Sequence, residues 1–298
     1  MANYQIWDRV WKVILEGDRR LELYRDGQDI VTGLRIVFDI VKGRYLEPNT
    51  CNLTIYGLST EQRAMCLQRG MSVELYAGYQ QDGARLLYRG HTLWAAPERS
   101  GADWGVRLEC NDGHCPNPVS IKFDKGAQAS KILDSLAQLM PGSNGKVGSL
   151  GKGVIKDQPT GLLEKGRVFV STGRAVLEMF SRENELATSI QDGNLQSHAL
   201  PSDTGEPIVD VGPDTGLEGS PTMIKAGIGN QVFAAPGVEF SCRLRGDLTM
   251  GRPIRVRSEV FGGTRDNPDV RDCAVIKVSH SGDSWGAAWT TRVEAWYR

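Results

Sequence analysis

The chain has 298 residues, with 35 Lys plus Arg against 36 Asp plus Glu and a formal net charge of -1. Both signs are interspersed, which excludes the basic footprint of a protein that binds nucleic acid or an anionic membrane through bulk charge. The length exceeds what one hydrophobic core usually organises, so two or three domains are expected. Six dispersed cysteines make no disulfide framework and are expected as free thiols.

No apolar stretch of signal-peptide length opens the chain, and no later segment approaches the roughly 18 uncharged residues of a membrane span. The expectation is a soluble protein made in the cytoplasm. Residues 11–15 and 21–24 read as strands, separated by a polar turn and followed by another turn at Asp26-Gly27. In 34–41, Leu34, Ile36, Phe38 and Ile40 share one face. The opposite face, Arg35, Val37, Asp39 and Val41, is only partly polar, which predicts cover on both sides by another layer or a neighbouring subunit. The alternation of 51–56 turns Cys51, Leu53 and Ile55 inward. Ser59 then stands as an N-cap with Gln62 completing a capping box. Ala64, Met65 and Leu67 supply the apolar side of this short helix, and Gly70 ends it. Strands run on to Cys110.

Cys110, His114 and Cys115 invite a metal reading, but no second ligand pair accompanies them, and His91, His198 and His280 form no ligand-like cluster. Asp112-Gly113 reads better as a turn at a domain edge. Ile132, Leu133, Leu136, Leu139 and Met140 recur at helical spacing up to the stop at Pro141-Gly142. Residues 142–166 are rich in Gly, Ser and Lys. Gly148-Ser-Leu-Gly-Lys-Gly153 lacks the spacing and the Ser or Thr of a phosphate loop, so a flexible or extended hairpin loop is expected there. A strand at 168–173 leads into a second helix at 174–184 with Val176, Leu177 and Phe180 on one face. Asp192-Gly193 suits the positive φ angles of a two-residue hairpin turn.

Turns across 210–221 lead to strands at 240–245, 254–258, 273–278 and 289–296. Arg243, Arg245, Arg252, Arg255 and Arg257 concentrate positive charge there. They are either a solvated face paired with acidic neighbours or a contact to another protein or to DNA in a channel. Ser281-Gly-Asp-Ser284 reads as the turn of a closing hairpin. Ser281-Gly-x-x-Trp285-Gly echoes Ser100-Gly-x-x-Trp104-Gly, and Gly251 precedes the second motif by the interval that separates Gly70 from the first. Residues 72–78 then fall opposite 253–259, with apolar residues alternating in both. The chain reads as two copies of one β-module, against the alternative that Gly, Ser and Trp coincide in unrelated hairpins.

No nucleophile, base and orienting group stand together. Glu183 and Glu185 point to different sides of a helix end, and the four histidines are dispersed, so an enzyme is the weaker hypothesis. No catalytic, cofactor-binding or metal residue is assigned, and no cofactor is expected.

Three stretches together resemble bacteriophage tail baseplate hub proteins of the phage late-control and tail-hub group. The first is Asn52-Leu-Thr-Ile-Tyr-Gly-Leu-Ser59 with Arg63, Gly70, Val73-Glu-Leu-Tyr-Ala-Gly-Tyr79 and Leu87-Tyr-Arg-Gly90. The second runs from Gly173-Arg-Ala-Val-Leu177 to Ser189-Ile-Gln-Asp-Gly-Asn-Leu-Gln196, and the third is Thr215-Gly-Leu-Glu-Gly-Ser-Pro221. The resemblance implies a mainly β chain with two tube-like β-barrel modules, 1–120 and 201–298, flanking a helix-containing α+β segment at 121–200. It further implies a homotrimeric virion protein whose six barrels match a sixfold tail tube. Its partners would be the tail tube protein, a spike or tail-tip protein and a tape-measure protein in the lumen, with no sequence-specific nucleic acid. The alternative is a β-rich glycan-binding module of a tail tip, with tryptophans as stacking platforms.

Overall fold

The computed structural model describes residues 8–25, 34–43, 47–112, 118–128, 130–142, 150–156, 161–199, 203–227, 234–264 and 266–298. The first third folds as β1 (Arg9–Glu16), β2 (Arg20–Arg25), β3 (Arg35–Gly43), β4 (Thr50–Tyr56), α1 (Thr60–Cys66), β5 (Ser72–Tyr79), β6 (Gly83–Ser100) and β7 (Asp103–Asn111). The middle third contributes β8 (Pro118–Phe123), α2 (Ser130–Leu139), β9 (Gly151–Ile155), β10 (Arg167–Thr172), α3 (Gly173–Glu183), β11 (Leu186–Gln191) and β12 (Asn194–Ala199). The last third is β13 (Val209–Val211), β14 (Leu217–Gly227), β15 (Ala234–Arg243), β16 (Pro253–Gly263), β17 (Pro268–Asp283) and β18 (Trp289–Tyr297). The chain is thus mainly β with a small helix-bearing middle; the three expected helices form, but α1 buries Cys66, while Ala64 and Leu67 of its expected apolar side are exposed.

Local chemistry explains the boundaries. The Ser59 side chain accepts from the Gln62 N–H, and the Gln62 side chain returns to the Ser59 N–H, so the capping box starts α1. Ile132, Leu133 and Leu136 of α2 and Val176, Leu177 and Phe180 of α3 are buried, joined by Met140, Phe169 and Leu195 in one core. Leu139, expected on the apolar side, is partly exposed at the end of α2. Asp192 and Gly193 both take positive φ, 52° and 76°, in the turn between β11 and β12. Within the stretch expected as a loop, 151–155 is β9, which pairs in parallel with β12. The loop composition of its neighbours hid a strand supported from outside its own sequence. The Asp26-Gly27 turn and residues 143–149 lie outside the described residues.

A thirteen-stranded sheet runs through the first and last thirds. Within it the order β3-β4-β7-β6-β5 recurs as β14-β15-β18-β17-β16, so the two thirds share one topology. The details repeat as well. Gly70 (φ 71°) and Gly251 (φ 73°) open the fifth strand of each unit. The Gly70 N–H donates to Thr92 O at 3.3 Å and the Thr92 N–H to Met71 O at 2.8 Å. Gly251 donates to Val275 O at 2.9 Å, and Val275 to Arg252 O at 3.1 Å. A bulge follows in both: the register breaks between Thr92 and Trp94 against β7, and between Val275 and Lys277 against β18. Both breaks stand opposite a glutamate, Glu109 and Glu294 respectively.

Two expectations change. Ser281 and Gly282 are ladder residues of β17 and the closing turn lies beyond Asp283, because their outer edge is held by β3. The gap-free match of the two hairpins fails for the same reason. Trp104 faces Arg99 as Trp289 faces Gly282, so Trp289 and not Trp285 is its counterpart. The outer face of β3 is also not covered on both sides within the chain: Asp39 and Val41 are exposed and Val37 is half-buried, whereas Ile36, Phe38 and Ile40 are buried.

Candidate functional site: the seam between the β-modules

The seam is an antiparallel ladder between β3 and the second half of β17, running from Val37 opposite Asp283 to Gly43 opposite Lys277. It joins the two units into one sheet. Trp289, at the start of β18, is buried in the core of the first unit rather than its own. Its indole N–H donates to Gly78 O at 3.2 Å, and its ring meets Phe38 edge-on with centroids 5.4 Å apart.

Three arginines from the first unit hold the 283–287 turn of the second. Arg9 donates to Asp283 O, at 2.5 Å, Gly286 O, at 2.6 Å, and Ala287 O, at 3.2 Å, and lies 5.0 Å from the Trp289 centroid. Burial lowers its pKa from the ordinary arginine value. Arg25 donates to Ser284 O at 3.2 Å. Arg35 forks onto the Asp283 carboxylate at 3.0 and 2.6 Å, a bidentate geometry that favours both charged forms. Burial opposes ionisation of Asp283, but Arg35 and the Trp285 and Gly286 N–H groups outweigh it and hold its carboxyl below the usual range. Trp285 projects from this turn, 52% exposed.

A second polar knot ties the middle segment to the first unit. The Lys42 ammonium contacts both Asp192 oxygens at 2.7 Å, and the Arg89 N–H donates to Asp192 Oδ1 at 2.9 Å. Asp112 accepts from the Asn49 N–H at 2.9 Å, the Asn49 side chain at 2.8 Å and the Asp192 N–H at 3.1 Å. Burial, then the neighbouring Asp192 charge, raise the Asp112 pKa to about 7 against the pull of Asn49, Lys42 and Arg174. His280, inside the seam, bonds Thr291 Oγ1 through Nδ1 at 2.9 Å. Its desolvation, then Lys42, lower its pKa to about 3, so it stays neutral.

The residues weighed from sequence are not brought together as chemistry. Among the described residues no group of His, Cys, Asp and Glu is placed to hold a metal ion. Cys110 is buried in the first core, and His114 and Cys115 lie outside the described residues. Glu183 pairs with Arg167, and Glu185 sits exposed with φ 53°. The five arginines between 243 and 257 each have a carboxylate partner: Asp82, Asp247, Glu206, Asp272, and Asp210 with Asp214 for Arg257. Sequence reasoning missed Arg9, Lys42 and Asp192. Each is an ordinary surface residue type at a strand end or turn, and only the fold buries Arg9 and Lys42 and brings Asp192 to Lys42.

No protein-family model and no curated protein matches the chain in sequence. Solved structures do match in shape. A 43 kDa tail protein of prophage MuSo2 from Shewanella oneidensis aligns with TM-score 0.58 at 9% identity, over 95% of this chain and 98% of that one. A tail protein from Neisseria meningitidis MC58 gives 0.56 at 12% identity, covering 97% and 96%. An Escherichia coli type VI secretion component, described as similar to the T4 tail proteins gp27 and gp5, gives 0.54 at 9% identity over 89% and 73%. The chain has the fold of these bacteriophage and type VI tail proteins.

Proposed function

We propose that this protein is a structural component of a phage tail, a homotrimeric baseplate hub in the virion that is synthesised in the host cytoplasm. Two β-modules per chain, 1–120 and 201–298, give six around the axis and continue a sixfold tail tube. The segment 121–200 sits between them, with a spike or tip protein below and a tape-measure protein in the lumen. The duplicated unit carries this reading: a chain that repeats one strand order, one glycine turn and one bulge is built to match a ring with twice as many positions as chains.

Its role is assembly rather than catalysis. The charged groups at the seam are engaged with one another and with backbone carbonyls, which suits a rigid connector. No described helix is long and apolar enough to cross a membrane, and the basic cluster is engaged by carboxylates, which supports contact with proteins over sequence-specific nucleic acid. The glycan-binding alternative has one observation in its favour, the half-exposed Trp94, Trp104 and Trp285. Arg107 stacks over Trp94, and Arg63 and Arg99 over Trp104; among the described residues no arginine stacks over Trp285.

Quantitative mass spectrometry of purified particles, counted against the tube protein, tests the reading. Three copies per tail are expected. Six or more would make the chain a tube or peripheral component, and absence from particles would overturn the hub.

A further inference from the structure

Lys42 stands where the pattern of its strand calls for an apolar residue. Ile36, Phe38 and Ile40 of β3 are buried, and Lys42 continues that face with its side chain 8% exposed. An ammonium is costly to bury without a partner. Here its Nζ lies 2.7 Å from each oxygen of Asp192, whose side chain is 18% exposed. A buried ion pair alone is a structural tie, but two further groups set this one apart. The Arg89 N–H donates to Asp192 Oδ1 at 2.9 Å, and the buried Asp112 carboxyl accepts the Asp192 N–H at 3.1 Å.

We propose that Lys42 and Asp192 condense into an isopeptide bond, an amide from Nζ to Cγ that ties β3 of the first unit covalently to the β11–β12 turn of the middle segment. The parts that such a condensation needs are in place: an amine, a carboxyl in contact with it, a donor for the developing oxyanion and a second acid to move protons. Asp112 Oδ2 accepts from the Asn49 side chain and the Asp192 N–H, whereas Oδ1 accepts from the Asn49 N–H alone, so Oδ1 keeps a lone pair for a proton. With its pKa raised to about 7 by burial and by the Asp192 charge, Asp112 is present near neutral pH both as acid and as base.

The step balances within the chain. The Lys42 ammonium passes one proton to Asp192 Oδ2 across their contact, which leaves a neutral amine beside a neutral carboxylic acid. A partial turn about the Cβ–Cγ bond presents the face of Cγ to Nζ. The C–N bond forms, and Oδ1 takes the negative charge against the Arg89 N–H. Asp112 then gives a proton to the departing hydroxyl and receives one from the nitrogen. The Cγ–Oδ2 bond breaks, Oδ1 returns to a carbonyl, and one water leaves. Two aligned groups held in contact react with an effective molarity on the order of 10⁵–10⁸ M, and burial keeps out the water that would reverse the bond.

The test is the full chain, held folded near neutral pH, then denatured, reduced and weighed intact by mass spectrometry before tryptic digestion. An intact mass short by one water is expected, with a branched peptide joining the Lys42 and Asp192 segments and no cleavage after Lys42. Lys42→Arg, which keeps the charge but not the nucleophile, is expected to abolish the loss. Asp112→Asn is expected to slow it by about a hundredfold or more, and an unchanged rate would overturn the relay. Because Gly193 follows Asp192, a water can also leave by cyclisation of the Asp192 carboxyl onto the Gly193 N–H. A loss that persists in Lys42→Arg therefore overturns the cross-link, as does an undiminished mass with two separate peptides after prolonged incubation. The bond belongs to the single chain, so its failure leaves the hub reading standing.

Discussion

The Arg9 guanidinium lies 5.0 Å from the centroid of the Trp289 ring, although 279 residues of chain separate a first strand from a last one. Arg9 stacks on that ring and caps three carbonyls of the turn before it, so the two ends of the chain hold one core between them.

Replacing Trp289 by Ala removes a 2% exposed ring from the first core and leaves Arg9 over a cavity. A loss of about 3–5 kcal/mol is expected, read as a lower urea midpoint with an unchanged slope. Trp285→Ala, although it lies in the hairpin motif shared with Trp104, is expected to change stability by less than about 0.5 kcal/mol. Equal losses at the two positions would contradict the placement of Trp289, rather than Trp285, in the first core.

Much of the fold is legible in sequence because period and cap chemistry act locally. The alternation at Cys51, Leu53 and Ile55, the capping box at Ser59 and Gln62, and the helical stripes of Ile132 and Phe180 each carry their own signal. The duplication is legible through Gly70 and Gly251, where a positive φ requires a residue without a Cβ. What fails is whatever depends on distant partners. Ser281 and Gly282 have turn composition but are held straight by β3, and residues 151–155 become a strand only because β12 lies beside them. The knot of Lys42, Asp192, Asp112 and Asn49 is invisible for the same reason: no residue type or spacing announces that four separated polar groups meet under cover.

The fork of Arg35 onto Asp283 fastens the seam from the side opposite Arg9. Asp283→Asn keeps the shape and two acceptor-donor sites but removes the charge, and a loss of about 1.5–3 kcal/mol is expected from a hydrogen bond to an ionised partner. Arg35→Ala is expected to cost less on top of it than alone, because the charge pair is already gone. Full additivity in the double-mutant cycle would show that the two side chains act separately.

The twin glycines offer a matched pair. Both Gly70 and Gly251 hold positive φ, so Ala at either carries a left-handed penalty of about 1–2 kcal/mol. A Cβ at Gly70 meets nothing within 4 Å, whereas at Gly251 it falls 2.9 Å from His198 Nε2 and from Thr204 Cγ2. Gly70→Ala is expected to cost the backbone penalty alone, and Gly251→Ala distinctly more, since the middle segment must shift. Equal melting temperatures for the two variants would mean that the His198 contact yields without cost.

Asp112 gives the fold a pH dependence whose sign is fixed by its surroundings. Its pKa is raised to about 7, above the ~3.9 of an unfolded aspartate, so the folded state binds the proton more tightly. The stability this supplies is complete below about pH 4 and is lost as pH rises toward 7. Asp112→Asn is expected to lower stability at every pH, because an amide returns one acceptor oxygen as a donor facing the N–H groups of Asn49 and Asp192. It is also expected to flatten the decline between pH 4 and 7. The measurement is the urea midpoint across that range for both proteins. A slope identical in the variant would assign the pH dependence to other groups and return Asp112 to the role of a plain ionised acceptor for Asn49.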